Sequence, residues 1–240
     1  MIVRNNLLNY KDNYIFQDTD YFKMSLDSLL LSQFVTINLR DKKILDIATG
    51  NAPIPMILTF RTKAHIYGVE LNNEVYLLGK ISINENNMKN QITLINDDAN
   101  NLLNVFEPDF FFFFTCNPPY FKTKNVEFEN NNNVKAMARH EKTLKLDDVF
   151  RVSKYLLKNN GKLAIVHRTE RLMEIIEVMK KYNFEIKKIR FVYPNKVKNS
   201  DLVLIECVKN GKPGLKMLPP LFVYEGRGIY SDEVKAMFGE

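Results

Sequence analysis

Along this 240-residue chain, short apolar runs alternate with amphipathic stretches, and the order of the two carries the fold. Lys43 to Ala48 has strand length, Thr49-Gly50-Asn51-Ala52 reads as a small-residue turn, and Pro53 to Phe60 reads as a helix with prolines in its opening turn, where amides lack helical acceptors anyway. His65 to Glu70, Asn72 to Asn87 and Gln91 to Asn96 repeat strand, helix, strand. Phe110 to Cys116 is an apolar run that no surface strand would tolerate, which predicts a central strand buried on both faces. Leu144 to Leu157 reads as a helix closed by Asn159-Asn160-Gly161, followed by a strand over Lys162 to Val166 and a helix over Glu170 to Lys181. Phe184 to Tyr193 and Leu202 to Val208 are strands joined by Pro194 to Asp201, a turn too short for a helical crossover, so they must pair antiparallel. The prediction is an α/β chain with a seven-stranded mixed sheet, wound on both faces, with one reversed strand near its edge.

Both ends of the chain are less regular. Residues 1 to 21 show no period; Leu26 onward is an apolar helical face with Ser25 as its candidate cap, ending near Leu39. The division expected is an arm and helix over 1–42 closing on a ligand, a catalytic domain over 43–209 with a flexible loop at 121–145, and a tail over 210–240 packed back on the domain. Hydrophobic residues make up 45% and charged residues 26%. No apolar stretch has bilayer length and no signal peptide is readable, so a cytoplasmic protein without a membrane partner is expected. Cys116 and Cys207 fall in buried strands and read as core thiols, and the three histidines show no ligand spacing, so no metal is expected. A net charge of +6 permits a polyanionic partner. Eight of the lysines and arginines lie between Ile186 and Met217, with Lys187, Lys188, Lys196 and Lys198 as candidate phosphate contacts on a basic hairpin.

The candidate chemistry gathers where the parallel strands end, which is where open α/β sheets hold ligands. Asp46, the turn with Ala48 and Gly50, and Glu70 with Leu71 span one strand, helix, strand unit, and the acid closing its second strand suits a ribose diol. Asp98, with Ala99, closes the third strand and suits an adenine amine. The methyl group of Ala52, where a close approach would want glycine, favours a ligand without phosphate, such as S-adenosylmethionine. Asn117-Pro118-Pro119-Tyr120 then stops the fourth strand. The Asn117 amide and the Pro118 carbonyl can accept both hydrogens of an exocyclic amine while Tyr120 stacks on the base. Past it, the 122–145 stretch is long enough to suggest a substrate loop, with Arg139 reaching a phosphate.

These strings together resemble the bacterial tRNA1(Val) (adenine-37-N6)-methyltransferases over nearly the whole chain. Gln17 to Leu31, which includes Asp27, resembles that family's cofactor-closing arm, Ile44 to Ile54 its cofactor loop, Asn117 to Tyr120 its catalytic signature and Phe121 the aromatic that follows. His167 to Leu172 and Tyr193 to Lys196 are also similar to family strings. The resemblance implies the class I, Rossmann-like methyltransferase fold, S-adenosylmethionine as cofactor, and direct methyl transfer to N6 of adenine 37 in a valine tRNA. It implies a monomer working without metal. Asn-Pro-Pro-Tyr alone is shared with protein glutamine, rRNA guanine and DNA adenine methyltransferases, so those remain alternatives, as does an RNA-binding module with an inactive cofactor fold.

Overall fold

A computed structural model describes residues 1–8, 12–19, 21, 24–118 and 144–239. The strands that build the main sheet are β3 (Lys43–Ile47), β4 (His65–Glu70), β5 (Ile92–Asn96), β6 (Phe111–Cys116), β7 (Leu157–Arg168), β8 (Phe184–Tyr193) and β9 (Leu202–Lys209). They lie in the order β5-β4-β3-β6-β7-β9-β8. β9 runs antiparallel to both of its neighbours, while β3 to β7 pair in parallel, so β8 points the same way as the parallel strands. The expected mixed sheet is therefore present, and two short strands extend it. β10 (Lys216–Met217) and β11 (Leu221–Phe222) add to β8 in parallel, which makes nine.

Each face carries a core. α1 (Leu26–Phe34), α2 (Pro53–Thr59) and part of α3 (Asn73–Glu85) pack with Ile44, Ile66 and Phe113 on one side. On the other, α4 (Leu146–Leu156) and α5 (Leu172–Lys181) cover Leu45, Ile47, Phe111 and Phe114. Phe111, Phe113 and Phe114 are fully buried in β6. Phe113 joins one core and Phe111 and Phe114 the other, so both cores draw on the same phenylalanine run. Truncating any one of these rings would cost about 3–5 kcal/mol.

Several expectations need correction. The amino-terminal arm is a hairpin, β1 (Ile2–Asn6) against β2 (Tyr14–Asp18). It is fastened to α3 because the Tyr14 amide donates to Asn86 Oδ1 (2.8 Å), the Asn86 amide donates back to the Tyr14 carbonyl (2.7 Å), and the Phe16 amide donates to Ser82 Oγ (2.9 Å). α1 stops at Phe34 and not at Leu39. Val35 adopts extended backbone at the head of the β-branched Val-Thr-Ile run, and the Ser25 hydroxyl makes no capping bond. Asn159-Asn160-Gly161 lies inside β7, with Asn160 at φ 62°, and α4 is capped by Leu157. The tail continues past β11 into a small hairpin, β12 (Tyr224–Gly226) and β13 (Ile229–Tyr230), and then α6 (Asp232–Phe238). Val234 of α6 shares a core with Leu29 and Leu30 of α1.

Candidate functional site

The carboxyl ends of β5, β4, β3 and β6 stand side by side, and they bring Asp98 and Ala99, Glu70 and Leu71, the 48–52 turn, and Asn117 to one edge. The turn after β3 is built from alternating left-handed residues: Ala48 (φ 55°), Gly50 (φ 61°) and Ala52 (φ 67°). Alanine adopts this region at a cost of about 1–2 kcal/mol per residue. At Ala52 the buried methyl group joins the core beneath α2, which offsets part of it. The turn can press against the sheet because β4 has no side chain at Gly68, where a Cβ would come within 2.9 Å of Thr49 and 2.7 Å of Leu94. Gly79 does the same from α3, since a Cβ there would meet Leu94 at 2.9 Å and the Asn51 backbone at 3.3 Å.

Glu70 does more than end a strand. Its Oε2 accepts the Gly50 amide (2.9 Å) and its Oε1 the Asn72 amide (2.8 Å), so one carboxylate ties the β3 turn to the start of α3. Leu71 beside it is exposed, and Asn96 donates to the Glu70 and Leu71 carbonyls. Asp98 caps the short 3-10 turn Ala99–Asn104 by accepting the Asn100 amide (2.8 Å), and Ala99 is buried behind it.

Asp46 is buried on β3, where Thr115 of β6 donates to its Oδ1 at 2.6 Å. Its Oδ2 is buried with no hydrogen-bond partner among the described residues, and so is Thr49 Oγ1. Burial raises the acid to about 7, opposed by the Thr115 and Thr49 hydroxyls and reinforced by the nearby Glu70 charge. Thr115 was legible as the lone hydroxyl in an otherwise apolar strand, yet sequence reading gave it no role. Cys116, next along β6, has its thiol pushed well up by burial and by Asp46, so it stays protonated and inert.

Asn117 leaves β6 half-buried, followed by a buried Pro118, and its Nδ2 donates to Ser28 Oγ on α1 at 3.2 Å. Ser28 is a contact that sequence reading missed. Asp27 precedes it, half-buried at the same end of α1. Gln17 lies on β2, 5% exposed, with Oε1 accepting from Asn5 (2.9 Å) and a buried Nε2 that has no partner among the described residues. Asn51 fastens this hairpin to the β3 turn by donating to the Phe16 carbonyl at 2.8 Å. Pro119, Tyr120, Phe121 and Arg139 lie outside the described residues.

No family model matches the chain. Curated proteins do. Over 206 residues it is 25% identical to a tRNA1(Val) (adenine(37)-N6)-methyltransferase of Cytophaga hutchinsonii, covering 81% of this chain and 80% of that one. A protein of the same name from Flavobacterium psychrophilum is 22% identical over 236 residues, 96% of this chain and 97% of its own. This chain is a homologue of those methyltransferases. Solved structures agree on the fold. A predicted O-methyltransferase from Agrobacterium tumefaciens superposes with a TM-score of 0.70 at 18% identity, covering 89% of this chain and 95% of that one. A geranyl diphosphate C-methyltransferase from Streptomyces coelicolor, in complex with S-adenosyl-L-homocysteine, gives 0.57 at 11%, over 76% and 78%. The architecture is thus the Rossmann-like methyltransferase sheet.

On this methyltransferase sheet the basic residues of the β8–β9 hairpin do not share one surface. Lys188 is turned inward: its ammonium donates to the Phe34 carbonyl (2.5 Å) and Thr36 Oγ1 (2.6 Å), lies 3.6 Å from Glu206 and covers the Phe34 ring. Burial lowers its affinity for a proton, and Glu206 opposes that. These contacts already engage the ammonium that the sequence offers as a candidate phosphate contact. Lys187 donates to the Lys212 carbonyl, and Arg190 pairs with Glu233 of α6 at 2.6 Å. Lys196 and Lys198 are exposed on the turn after β8. Among the described residues no group of histidine, cysteine and acidic side chains could hold a metal, and no helix is long and apolar enough to cross a membrane. His167 is buried, with Nδ1 accepting the Arg168 amide and Nε2 3.4 Å from Arg171. His65 opens β4 at the opposite edge of the sheet.

Proposed function

We propose that this protein transfers the methyl group of S-adenosylmethionine to N6 of adenine 37 in tRNA1(Val). The reading rests on Asn117, an amide fixed by α1 at the end of the central strand, beside three loops whose polar groups suit an adenosine bearing an amino acid. Those groups fit the cofactor on their own terms. The buried Gln17 Nε2 can donate to a carboxylate and the buried Asp46 Oδ2 can accept from an ammonium, while the carboxylates of Glu70 and Asp98 suit a ribose diol and an adenine amine. When bound, S-adenosylmethionine supplies an electrophilic methyl group on a sulfonium.

The chain's own contribution is orientation and polarisation. Nδ2 donating to Ser28 orients the Asn117 amide, whose Oδ1, with the Pro118 carbonyl, can accept the two hydrogens of the target amine. Drawing on both hydrogens raises electron density at a weakly nucleophilic nitrogen. No enzyme nucleophile is required, in keeping with the inert thiol of Cys116. The target base must leave its stack to reach this edge, which costs less in an anticodon loop than in a duplex. Tyr120, Phe121 and Arg139 complete the proposal as base-stacking and phosphate contacts. We place the protein in the cytoplasm, acting as a monomer.

The deciding experiment incubates the purified protein with radiolabelled S-adenosylmethionine and total tRNA, then digests the RNA to nucleosides. Label in N6-methyladenosine, mapped to position 37 of tRNA1(Val), is the expected result. Label confined to protein, or to guanosine, would overturn the reading.

A further inference from the structure

Resting on the reading above that the substrate is an RNA, we infer that the turn after β8, residues 194–201, is the surface on which that RNA docks. The direction of the strands comes first. β8 is antiparallel to β9, which is antiparallel to β7, so the turn emerges at the same edge as Asn117. β8 stands three strands from β6, about 14 Å across the sheet at ordinary strand spacing. One RNA loop can touch both places. Lys187, in the first half of β8, is displaced toward the opposite edge.

The turn is stiff, which an exposed connection of this length need not be. Asn195 Oδ1 accepts the amides of Val197 (3.0 Å) and Lys198 (3.1 Å). Ser200 Oγ bonds the carbonyls of Val192 (2.9 Å) and Leu202 (3.0 Å) and the Thr169 hydroxyl (2.9 Å). The tail braces its base, since the Val223 and Tyr224 amides donate to the carbonyls of Tyr193 and Pro194. What this scaffold displays is Lys196, Val197 and Lys198. Val197 is 94% exposed, and the ammonium groups of the two lysines make no hydrogen bond or ion pair among the described residues. The turn thus holds one apolar side chain between two ammonium groups that face solvent. It fits a sugar-phosphate backbone, with ammonium groups on phosphates and the isopropyl group against a sugar or base edge. At the base of the turn the half-buried rings of Tyr193 and Phe222, 5.5 Å apart, add aromatic surface for an unpaired base.

Packed elements link the base of the turn to the site. Tyr224 and Tyr230 stack at 5.0 Å and Tyr230 meets Phe238 of α6 at 5.0 Å, α6 shares a core with α1, and α1 holds Asn117 through Ser28.

The test compares Lys196→Glu/Lys198→Glu with Lys63→Glu/Lys89→Glu, which changes net charge equally at the far edge of the sheet. Binding of an unmodified tRNA transcript is measured across a salt series, with S-adenosylhomocysteine affinity and thermal midpoint as controls. The turn variant is expected to raise the tRNA dissociation constant about tenfold or more at low salt and to flatten the log–log salt slope by about 1.5. The far-edge variant should stay within about twofold of the parent, as screened long-range charge predicts. Equal losses in both variants, or none in the turn variant, would overturn the docking surface, and so would a parent that binds no tRNA. A parent whose tRNA binding depends on the turn, yet which methylates no adenosine, would support the surface while overturning the reaction proposed above.

Discussion

Asp46 should make this protein less stable as the pH rises toward neutrality, and Asp46→Asn should abolish that loss. The carboxyl group is buried, has one partnered oxygen and one without a partner among the described residues, and is raised from 3.8 to about 7 chiefly by burial. Because the folded value lies above the unfolded one, the folded chain holds a proton between the two that the unfolded chain has released. The stability it contributes is complete below about 4 and is lost as the pH climbs to about 7. At about 1.4 kcal/mol per unit the whole window is worth roughly 4 kcal/mol, and the part between pH 5 and 7 about 3. An asparagine cannot ionise. Its Oδ1 can still accept from Thr115, and its amide hydrogens face the buried Thr49 hydroxyl, which has no partner among the described residues. Urea unfolding at pH 5, 6, 7 and 8 is the assay, and the parent's midpoint should fall relative to D46N by roughly 1 M across the series. His65, lowered by burial and by Lys43, works in the opposite sense, since its folded form resists protonation and gains stability as pH rises. It is common to both proteins and cancels in the difference. Parallel pH profiles for parent and D46N would refute the argument.

Asn117→Ala should leave cofactor binding nearly intact and lower turnover by roughly 100-fold or more, read from single-turnover methylation of tRNA. Ser28→Ala removes only the bond that fixes the amide, so turnover should fall by about fivefold, the weight of one neutral hydrogen bond, while the Kd for S-adenosylhomocysteine holds. Glu70→Gln keeps one acceptor oxygen but sets an NH2 against a backbone amide; calorimetric titration should show cofactor affinity weakened by about 2 kcal/mol, with unchanged affinity moving the ribose contact elsewhere. Gly79→Ala forces a methyl group onto Leu94 and the Asn51 backbone, and should lower stability by about 1–3 kcal/mol in urea unfolding.

The sheet was legible because its signals are local: β4 and β8 fall on the residues that periodicity assigned, and the phenylalanine run is the central strand. The ends were not, because their structure is set by what they lean on. β1 is exposed along most of its length, so it carries no alternation to read, and it is ordered by pairing with β2 and by polar bonds that β2 makes to Asn86 and Ser82 some seventy residues away. β10 and β11 are two residues each and exist because β8 offers an unpaired edge. At the site, residue identity pointed to Glu70 and Asn117 but could not show that Glu70 ties two loops together or that Asn117 is oriented by Ser28, since both facts depend on which helix is laid against which strand end.

The basic composition divides on the same principle. A net charge of +6 and a lysine-rich hairpin suggest a polyanion-binding face, but several of those cations serve the fold. Arg61 donates to the Ser32 and Val35 carbonyls and Lys188 to that of Phe34, so the carboxyl end of α1 is surrounded by positive charge, each contact favourable with the helix dipole by about 0.3–1 kcal/mol. Lys162 holds the segment beyond it through Asp41 at 2.8 Å and the Thr36 carbonyl. These contacts fix one end of the helix whose other end carries Ser28 against Asn117. Lysines and arginines that a charge count would assign to RNA therefore position the candidate catalytic amide from behind, and the cations left to meet a substrate are those, like Lys196 and Lys198, that the fold holds out at the site's own edge without a partner among the described residues.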